Sequence, residues 1–252
     1  MGSLNDVLVL FGDSQTEFAS RPGGFVNRLS QHFSRVYDVV NRGFSGYTTD
    51  QALVLAPRIF PPQDSQQSGT SKGKVRLVTI WFGSNDAAVE GHRQHVPLAR
   101  FRQNLEQVID IILENAGADT KIVLITPAAL IPATELVGNS RRPEITRTYV
   151  EAVLAIADAR KSPNIVAMDL FSSFEDIAGK HFGTLRPLLA EDGLHISDFG
   201  YELIFHKLIN IIQRWPELNL DCLQRTYPSW KDVLPEQGQG VPLEPQANVM
   251  NQ

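Results

Sequence analysis

The chain has 252 residues, 42% of them hydrophobic and 20% charged, a balance typical of a globular protein with one large domain or two small ones. Its formal net charge of -5 disfavours a nucleic-acid backbone or an anionic membrane surface as a partner. Cys222 is the single cysteine, which excludes an intrachain disulfide and a metal cage built from several thiolates.

Apolar runs rich in β-branched residues recur along the chain and alternate with helical patterns. Five such runs cover residues 7–11, 36–40, 75–82, 121–126 and 164–170. The alternation predicts parallel strands joined by right-handed crossovers. The clearest helices are predicted at 97–116, at 143–160 with Pro143 in the first turn, and from the cap Ser197 to about residue 214. The predicted fold class is α/β: a three-layer α/β/α sandwich with a five-stranded parallel sheet and ligands at the carboxyl ends of the strands.

Two segments depart from this rhythm. Residues 61–74 are rich in turn-forming residues and predict a surface loop. The folded domain is predicted to cover 1–216, followed by a C-terminal extension at 217–252 whose end has too few apolar residues to fold alone. The extension carries Leu223, Tyr227, Trp230 and Val233, which need burial either on their own domain or against a second copy of the chain in a homodimer.

The sequence also bears on location. The first residues lack a basic stretch followed by a long apolar core and a cleavage site, so we expect no signal peptide. No apolar run approaches the roughly 18 residues that a membrane span requires. We therefore expect a cytoplasmic enzyme or binding protein without a membrane span.

The first strand ends at Gly12-Asp13-Ser14, where a parallel sheet keeps its ligands. If a helix starts there, its first N–H groups are unpaired and favour an anion that develops beside the serine. Ser14 could then act both as a nucleophile and, through its amide, as an oxyanion donor. The alternative is a simple helix cap, for which Asp and Ser are also preferred.

Two further polar segments follow the second and third strands. Gly46 lies in a glycine turn at 41–50, and an N–H there could face the crevice. Asn85 can donate hydrogen bonds without carrying charge, which suits an oxygen that becomes negative only in the transition state. The alternative for each is an ordinary turn.

Asp192 and His195 precede the last helix, with Gly193 between them, so a tight turn can bring the carboxylate to the imidazole. The carboxylate would fix the tautomer and leave the other ring nitrogen to accept a proton from Ser14. Asp-x-x-His is common by chance, and its value here comes from its occurrence with the other three segments.

Taken in order, these segments resemble the blocks of the SGNH hydrolases, also called GDSL esterases and lipases. The stretches "FGDSQTEF", "NRGFSGYTT", "FGSNDA" and "DGLHISDFGYELI" are most similar to the isoamyl acetate-hydrolysing esterase group. The resemblance implies the flavodoxin-like SGNH fold and a short-chain ester substrate, with no metal and no cofactor. It implies Ser14 as nucleophile, His195 as general base, Asp192 as its orienter, and the Ser14 and Gly46 amides with Asn85 as oxyanion donors.

Two positions depart from the family pattern. Gln15 stands where the family more often has Leu or Ile, and residues 126–135 are less rich in proline than in the esterase group. The second departure bears on substrate preference, so a thioester, a lysophospholipid or an acetylated carbohydrate stays open as the substrate. The pocket is predicted to include four residues from loops that follow the strands: Phe44, Tyr47, Ala128 and Leu130.

Two other groups of residues suggest different kinds of site. Glu90, His92 and His95 lie close together in sequence, but a solvated loop explains them better than a metal site. Asp13, Asp86 and Glu17 could form the acidic pocket of a receiver-like binding module. That alternative lacks a partner lysine near the fifth strand and leaves Asp192 and His195 without a role.

Overall fold

The computed structural model describes residues 5–62, 73–132 and 140–223. Five parallel strands form one sheet in the order β2-β1-β3-β4-β5, which confirms the predicted fold class. The strands are β1 (Asp6–Gly12), β2 (Tyr37–Gly43), β3 (Val75–Trp81), β4 (Lys121–Ile125) and β5 (Ile165–Met168). The helices are α1 (Ser14–Glu17), α2 (Phe25–His32), α3 (Thr49–Ile59), α4 (Leu98–Ala116), α5 (Pro143–Arg160), α6 (Leu170–Ile177) and α7 (Asp198–Ile212).

The sheet is buried on both faces, which explains why its central strands are mostly apolar. Alternate side chains of β1 enter two different cores. Leu8 and Leu10 pack in the core shared with α2, α6 and α7, whereas Val9 and Phe11 pack in the core shared with α3, α4 and α5. The helices therefore form a layer on each side of the sheet.

Local signals placed two helix starts correctly. Helix α5 begins at Pro143 and ends at Arg160, as predicted. Helix α7 is capped by Ser197, whose side chain accepts a hydrogen bond from Gly200 N. Most of the predicted 61–74 loop lies outside the described residues.

Two strand ends differ from the prediction by two residues or more, each for its own reason. Strand β2 continues beyond residue 40 to Gly43, which pairs in register with Gly12 of β1. Strand β5 stops at Met168, because Asp169 caps α6 by accepting a hydrogen bond from Ser172 N.

Packing of the domain continues past residue 216. Leu218 is buried in the core, Glu217 forms an ion pair with Lys121, and Tyr37 Oη donates to Glu217 O at 2.8 Å. Tyr227, Trp230 and Val233 lie outside the described residues, so the domain boundary and the homodimer stay predictions. Within the described ranges, no helix combines the length and the apolar character needed to cross a bilayer.

Candidate active site

Ser14 is the first residue of α1, directly after the turn that ends β1. Asp13 is the N-cap, with its carboxylate accepting from Gln15 N at 2.9 Å, so the cap and the predicted nucleophile are adjacent residues. The turn is tight: a Cβ on Gly12 would lie 2.1 Å from Thr16 Oγ1 and 2.6 Å from Trp81 O. This close packing requires glycine at position 12 and fixes the direction in which Ser14 leaves the sheet.

His195 joins Ser14 across 181 residues of sequence. Its Nε2 lies 2.9 Å from Ser14 Oγ, and its Nδ1 lies 2.5 Å from Asp192 Oδ2. A carboxylate only accepts hydrogen bonds, so Nδ1 carries the ring proton and Nε2 is left to accept the Ser14 O–H. The structure thus brings together the three side chains that the sequence predicted to meet.

The turn at 192–195 also holds Asp192 in place. Its Oδ1 accepts from the amides of Leu194 at 3.0 Å and His195 at 2.9 Å, and Gly193, directly after Asp192, adopts a positive φ of 65°. Burial raises the pKa of Asp192, but the hydrogen bonds from the His195 ring and the two amides outweigh it and hold the pKa below its ordinary value of 3.8. Asp192 is therefore the ionised partner of the ring.

The segments after β1, β2 and β3 meet at one edge of the sheet. Phe44 N donates to Gly12 O at 2.8 Å, and Asp13 N donates to Trp81 O at 3.1 Å. Gly46 has a positive φ of 80°, which favours glycine, and Asn85 Nδ2 donates to Tyr47 O at 2.8 Å. These bonds tie the predicted oxyanion segments to each other and to the turn that carries Ser14.

Sequence reasoning missed two polar residues at this edge. Gln94 Nε2 donates to Gly46 O, and Arg141 Nη2 donates to Asn85 Oδ1, both at 2.8 Å. The partners are 48 and 56 residues apart in sequence, so no local pattern could reveal them.

The acidic residues considered for a receiver-like pocket, Asp13, Asp86 and Glu17, make hydrogen bonds within this part of the fold. Asp13 and Asp86 are fully buried. Asp86 Oδ1 accepts from the Thr49 amide at 2.9 Å and its hydroxyl at 2.5 Å, which anchors the start of α3. Glu17 accepts from Ser45 N at 2.6 Å.

Burial also shifts the pKa values of Asp13 and Asp86. It raises the pKa of Asp13 to about 7 and that of Asp86 to about 6, although hydrogen bonds from Gln15 N and from Thr49 oppose the shifts. Both carboxyl groups therefore titrate well above the usual range of an aspartate.

The two histidines weighed for a metal site face the backbone of their own loop. His92 Nδ1 accepts from Gln94 N at 3.2 Å, and His95 Nδ1 lies 2.7 Å from Ala88 O. In the part of the chain that the structure describes, no group of three His, Cys, Asp or Glu side chains is arranged to hold a metal ion.

Of the predicted pocket residues, Phe44 and Tyr47 stack with ring centroids 5.4 Å apart, and Tyr47 is 38% exposed. Ala128 and Leu130 are buried. Their assignment to a substrate pocket stays a prediction.

The structure adds a cleft of about 410 Å³ beside His195. Its walls include Phe18, whose ring centroid is 4.9 Å from that of His195, and Arg21, whose guanidinium lies 3.6 Å above the Phe18 ring. The cleft therefore places an apolar wall and a cation beside the imidazole, a combination that the sequence does not predict.

The fold and the geometry at its carboxyl edge define a class, the three-layer ester hydrolases of the SGNH type. The family model described as GDSL-like Lipase/Acylhydrolase matches residues 10–203. The chain belongs to this family, a family of ester hydrolases, as the resemblance predicted.

Individual relatives indicate which group within the family the chain resembles. The chain is 31% identical to the Isoamyl acetate-hydrolyzing esterase 1 homolog of Homo sapiens, over 90% of this chain and 87% of that protein. It is 27% identical to the Isoamyl acetate-hydrolyzing esterase of Saccharomyces cerevisiae, over 90% and 94% of the two chains. These similarities confirm the predicted resemblance to the isoamyl acetate-hydrolysing group.

Solved structures agree on the fold. The lipase/acylhydrolase from Enterococcus faecalis aligns with a TM-score of 0.63 and 26% identity, over 83% of this chain and 96% of that chain. The acetyl xylan esterase AlAXEase aligns with a TM-score of 0.62 over 82% and 99%, and at 20% identity it shows the fold alone.

Proposed function

We propose that the protein is a serine esterase that hydrolyses short-chain, acetate-like carboxylic esters through an acyl-enzyme on Ser14. The observation that carries the proposal is the pair of contacts at His195, 2.9 Å to Ser14 Oγ on one side and 2.5 Å to Asp192 Oδ2 on the other. Such a chain of hydroxyl, imidazole and carboxylate activates an otherwise weak nucleophile.

In the proposed reaction, Ser14 Oγ attacks the ester carbonyl while His195 Nε2 takes the hydroxyl proton. The tetrahedral oxyanion is held by the Ser14 amide, the Gly46 amide and Asn85 Nδ2. Collapse breaks the bond to the alcohol oxygen, and His195 returns the proton to that oxygen as the alcohol leaves. Water activated by His195 then releases the acid and restores Ser14. His195 makes every proton transfer in this route, and the amides and Asn85 only donate hydrogen bonds, so we expect no cofactor.

Two features support an ester with a small acyl group as the substrate. Relatives that share about 30% identity over 90% of the chain carry names that refer to isoamyl acetate hydrolysis. The stacked rings of Phe44 and Tyr47 lie on the segment that also contains Gly46, which favours an apolar slot next to the proposed oxyanion donors.

Turnover of a chromogenic acetate ester by the Ser14→Ala variant tests the proposal. We expect essentially all activity to disappear, because the covalent route is lost, whereas Asn85→Ala loses about 10²- to 10³-fold in kcat. Ser30→Ala, an exposed position on α2, is the matched control and keeps wild-type activity. An active Ser14→Ala enzyme would overturn the assignment.

A series of esters from acetyl to dodecanoyl tests the substrate class. We expect kcat/KM to fall steeply beyond butyryl. Preference for long chains, for a thioester, for a lysophospholipid or for an acetylated sugar would contradict the short-chain proposal and leave the role of Ser14 intact.

Two further expectations from the sequence stay predictions. One is a homodimer formed through the C-terminal extension, and the other is a cytoplasmic location. Fractionation of cells that produce the full chain tests the location, and recovery with organelles or in the medium would contradict it.

A further inference from the structure

Behind the proposed oxyanion donors lies a network of two polar side chains that the acyl transfer itself does not use. Gln94 Nε2 donates to Gly46 O at 2.8 Å and to Asn85 Oδ1 at 3.1 Å, so one amide bridges both segments. Arg141 Nη2 donates to Asn85 Oδ1 at 2.8 Å and to Gln94 Oε1 at 2.7 Å. Asn85, Gln94 and Arg141 thus form a closed triangle of hydrogen bonds next to Gly46.

The triangle leaves the Asn85 carboxamide a single orientation. An Asn side chain has two lone pairs on its oxygen and two N–H bonds. Gln94 and Arg141 occupy both lone pairs, and Tyr47 O takes one N–H at 2.8 Å. A flipped carboxamide would place its NH₂ against two donors, so the flip is disfavoured. The remaining N–H is the one that the proposed oxyanion would use.

Arg141 is suited to hold this orientation. It is only 9% exposed, and its Nε donates to Ser84 O at 3.0 Å. The guanidinium therefore binds the backbone of Ser84 and the side chain of Asn85, which are consecutive residues. Burial holds the pKa of Arg141 below its ordinary value, although the charges of Asp13 and Asp86 oppose the shift. A guanidinium nevertheless stays protonated at neutral pH. A fixed cation on the carbonyl oxygen of Asn85 polarises the carboxamide and strengthens its N–H as a donor.

We propose that Arg141 is a positioning residue for ester hydrolysis, which acts through Asn85, and that Gln94 couples Asn85 to Gly46. The inference rests on the proposed function, because it assigns a role to the residues behind its oxyanion donors. The simpler alternative is a purely structural link. Arg141 also forms an isolated β-bridge with Ala88, and Val89 N donates to Ser140 O at 2.9 Å, so the backbone already joins the two segments.

A double-mutant cycle separates the two roles. Arg141→Met is made in the wild type and in the Asn85→Ala background, and kcat and KM are measured with the same acetate ester. We expect Arg141→Met to lower kcat about 10- to 100-fold in the wild type with KM changed less than about threefold, because the lost interaction acts in the transition state. In the Asn85→Ala background the same change is expected to cost less than about threefold, since the residue through which it acts is gone.

Gln94→Met provides the same test at a half-buried side chain and keeps the proposal falsifiable if Arg141→Met does not fold. We expect a loss of about 3- to 10-fold in kcat, again confined to the background that retains Asn85. Arg160→Met is the matched control: Arg160 ends α5 at the opposite edge of the sheet and pairs with Asp110, and its loss leaves kcat unchanged.

The outcomes are distinguishable. Equal losses from Arg141→Met in both backgrounds, or wild-type kcat in both Arg141→Met and Gln94→Met, would overturn this inference while an inactive Ser14→Ala enzyme still supports the proposed function. An active Ser14→Ala enzyme would remove the proposed function itself.

Discussion

At the scale of single residues, Asp13, the acid next to the proposed nucleophile, is buried without a full set of hydrogen bonds within the described part of the chain. Asp13 is fully buried, and of its two carboxyl oxygens Oδ1 caps Gln15 N while Oδ2 has no hydrogen-bond partner among the described residues. Burial is the main reason that its pKa rises to about 7, and the nearby Asp86 charge adds to it. The folded protein therefore holds a proton on Asp13 that the unfolded chain releases near pH 4.

This linkage predicts how stability depends on pH. The folded pKa of Asp13 lies above its unfolded value of 3.8, so between about pH 4 and pH 7 the folded state binds more protons and the free energy of unfolding falls as pH rises. Asp13→Asn removes the titration, and we expect its free energy of unfolding to rise relative to the wild type by up to about 1.4 kcal/mol per pH unit in that window. Urea unfolding of both proteins from pH 4.5 to 8 measures the difference. Two parallel pH curves would contradict the assignment.

At the scale of structural elements, the site depends on contacts between segments that are distant in sequence. Gln15 Nε2 donates to Leu194 O at 2.9 Å, and Tyr201 Oη of α7 donates to Gln15 O at 2.8 Å. The first bond joins the segment that carries Ser14 to the turn that carries His195, and the second joins the same segment to α7. Gln15, where the family more often has Leu or Ile, is thus a tether between the segment that carries Ser14 and the turn that carries His195.

Replacement of that tether has a specific expected effect. In Gln15→Leu the bond to Leu194 O disappears, and a neutral hydrogen bond contributes about 1 kcal/mol, so we expect kcat for an acetate ester to fall about 3- to 10-fold. The free energy of unfolding should change little, because Gln15 Oε1 is a buried acceptor without a hydrogen-bond partner within the described ranges and its removal offsets the lost bond. Gln31→Leu on the exposed face of α2 is the control. Wild-type kcat in Gln15→Leu would show that the tether is not needed.

The same distinction between local and distant contacts decides what the sequence could predict. Pro143 and Ser197 mark helix starts because a fixed φ and a capping hydroxyl act within a few residues. The end of β2 depends on its register with Gly12, and the places of Gln94 and Arg141 depend on partners about 50 residues away. No local pattern encodes those contacts.

At the scale of the whole molecule, the alternation of apolar runs and helical patterns predicted the parallel sheet. The order of strands in that sheet determines which of the proposed site residues lie together. Ser14, Gly46 and Asn85 all follow carboxyl ends of neighbouring strands, so the strand order brings their segments together at one edge. The cleft beside His195 was beyond prediction, because one wall comes from the segment after α1 and the other from residues 190–201, far away in sequence.

The C-terminal extension carries a prediction for the assembly. Leu220 and Leu223 pack partly on the core, and the extension continues with Tyr227, Trp230 and Val233. We expect the full chain to elute from gel filtration at the mass of a dimer and a chain ended after Leu223 to elute as a monomer. Identical monomer peaks would contradict the homodimer.

Covalent labelling shows whether the hydroxyl of Ser14 is an activated nucleophile. A fluorophosphonate reacts with a serine whose hydroxyl is activated by a neighbouring base, and peptide mass mapping then locates the adduct. We expect one adduct per chain, on Ser14, with none in the Ser14→Ala variant and much slower labelling in His195→Ala. An unlabelled Ser14, or an adduct on another serine that persists in Ser14→Ala, would contradict it.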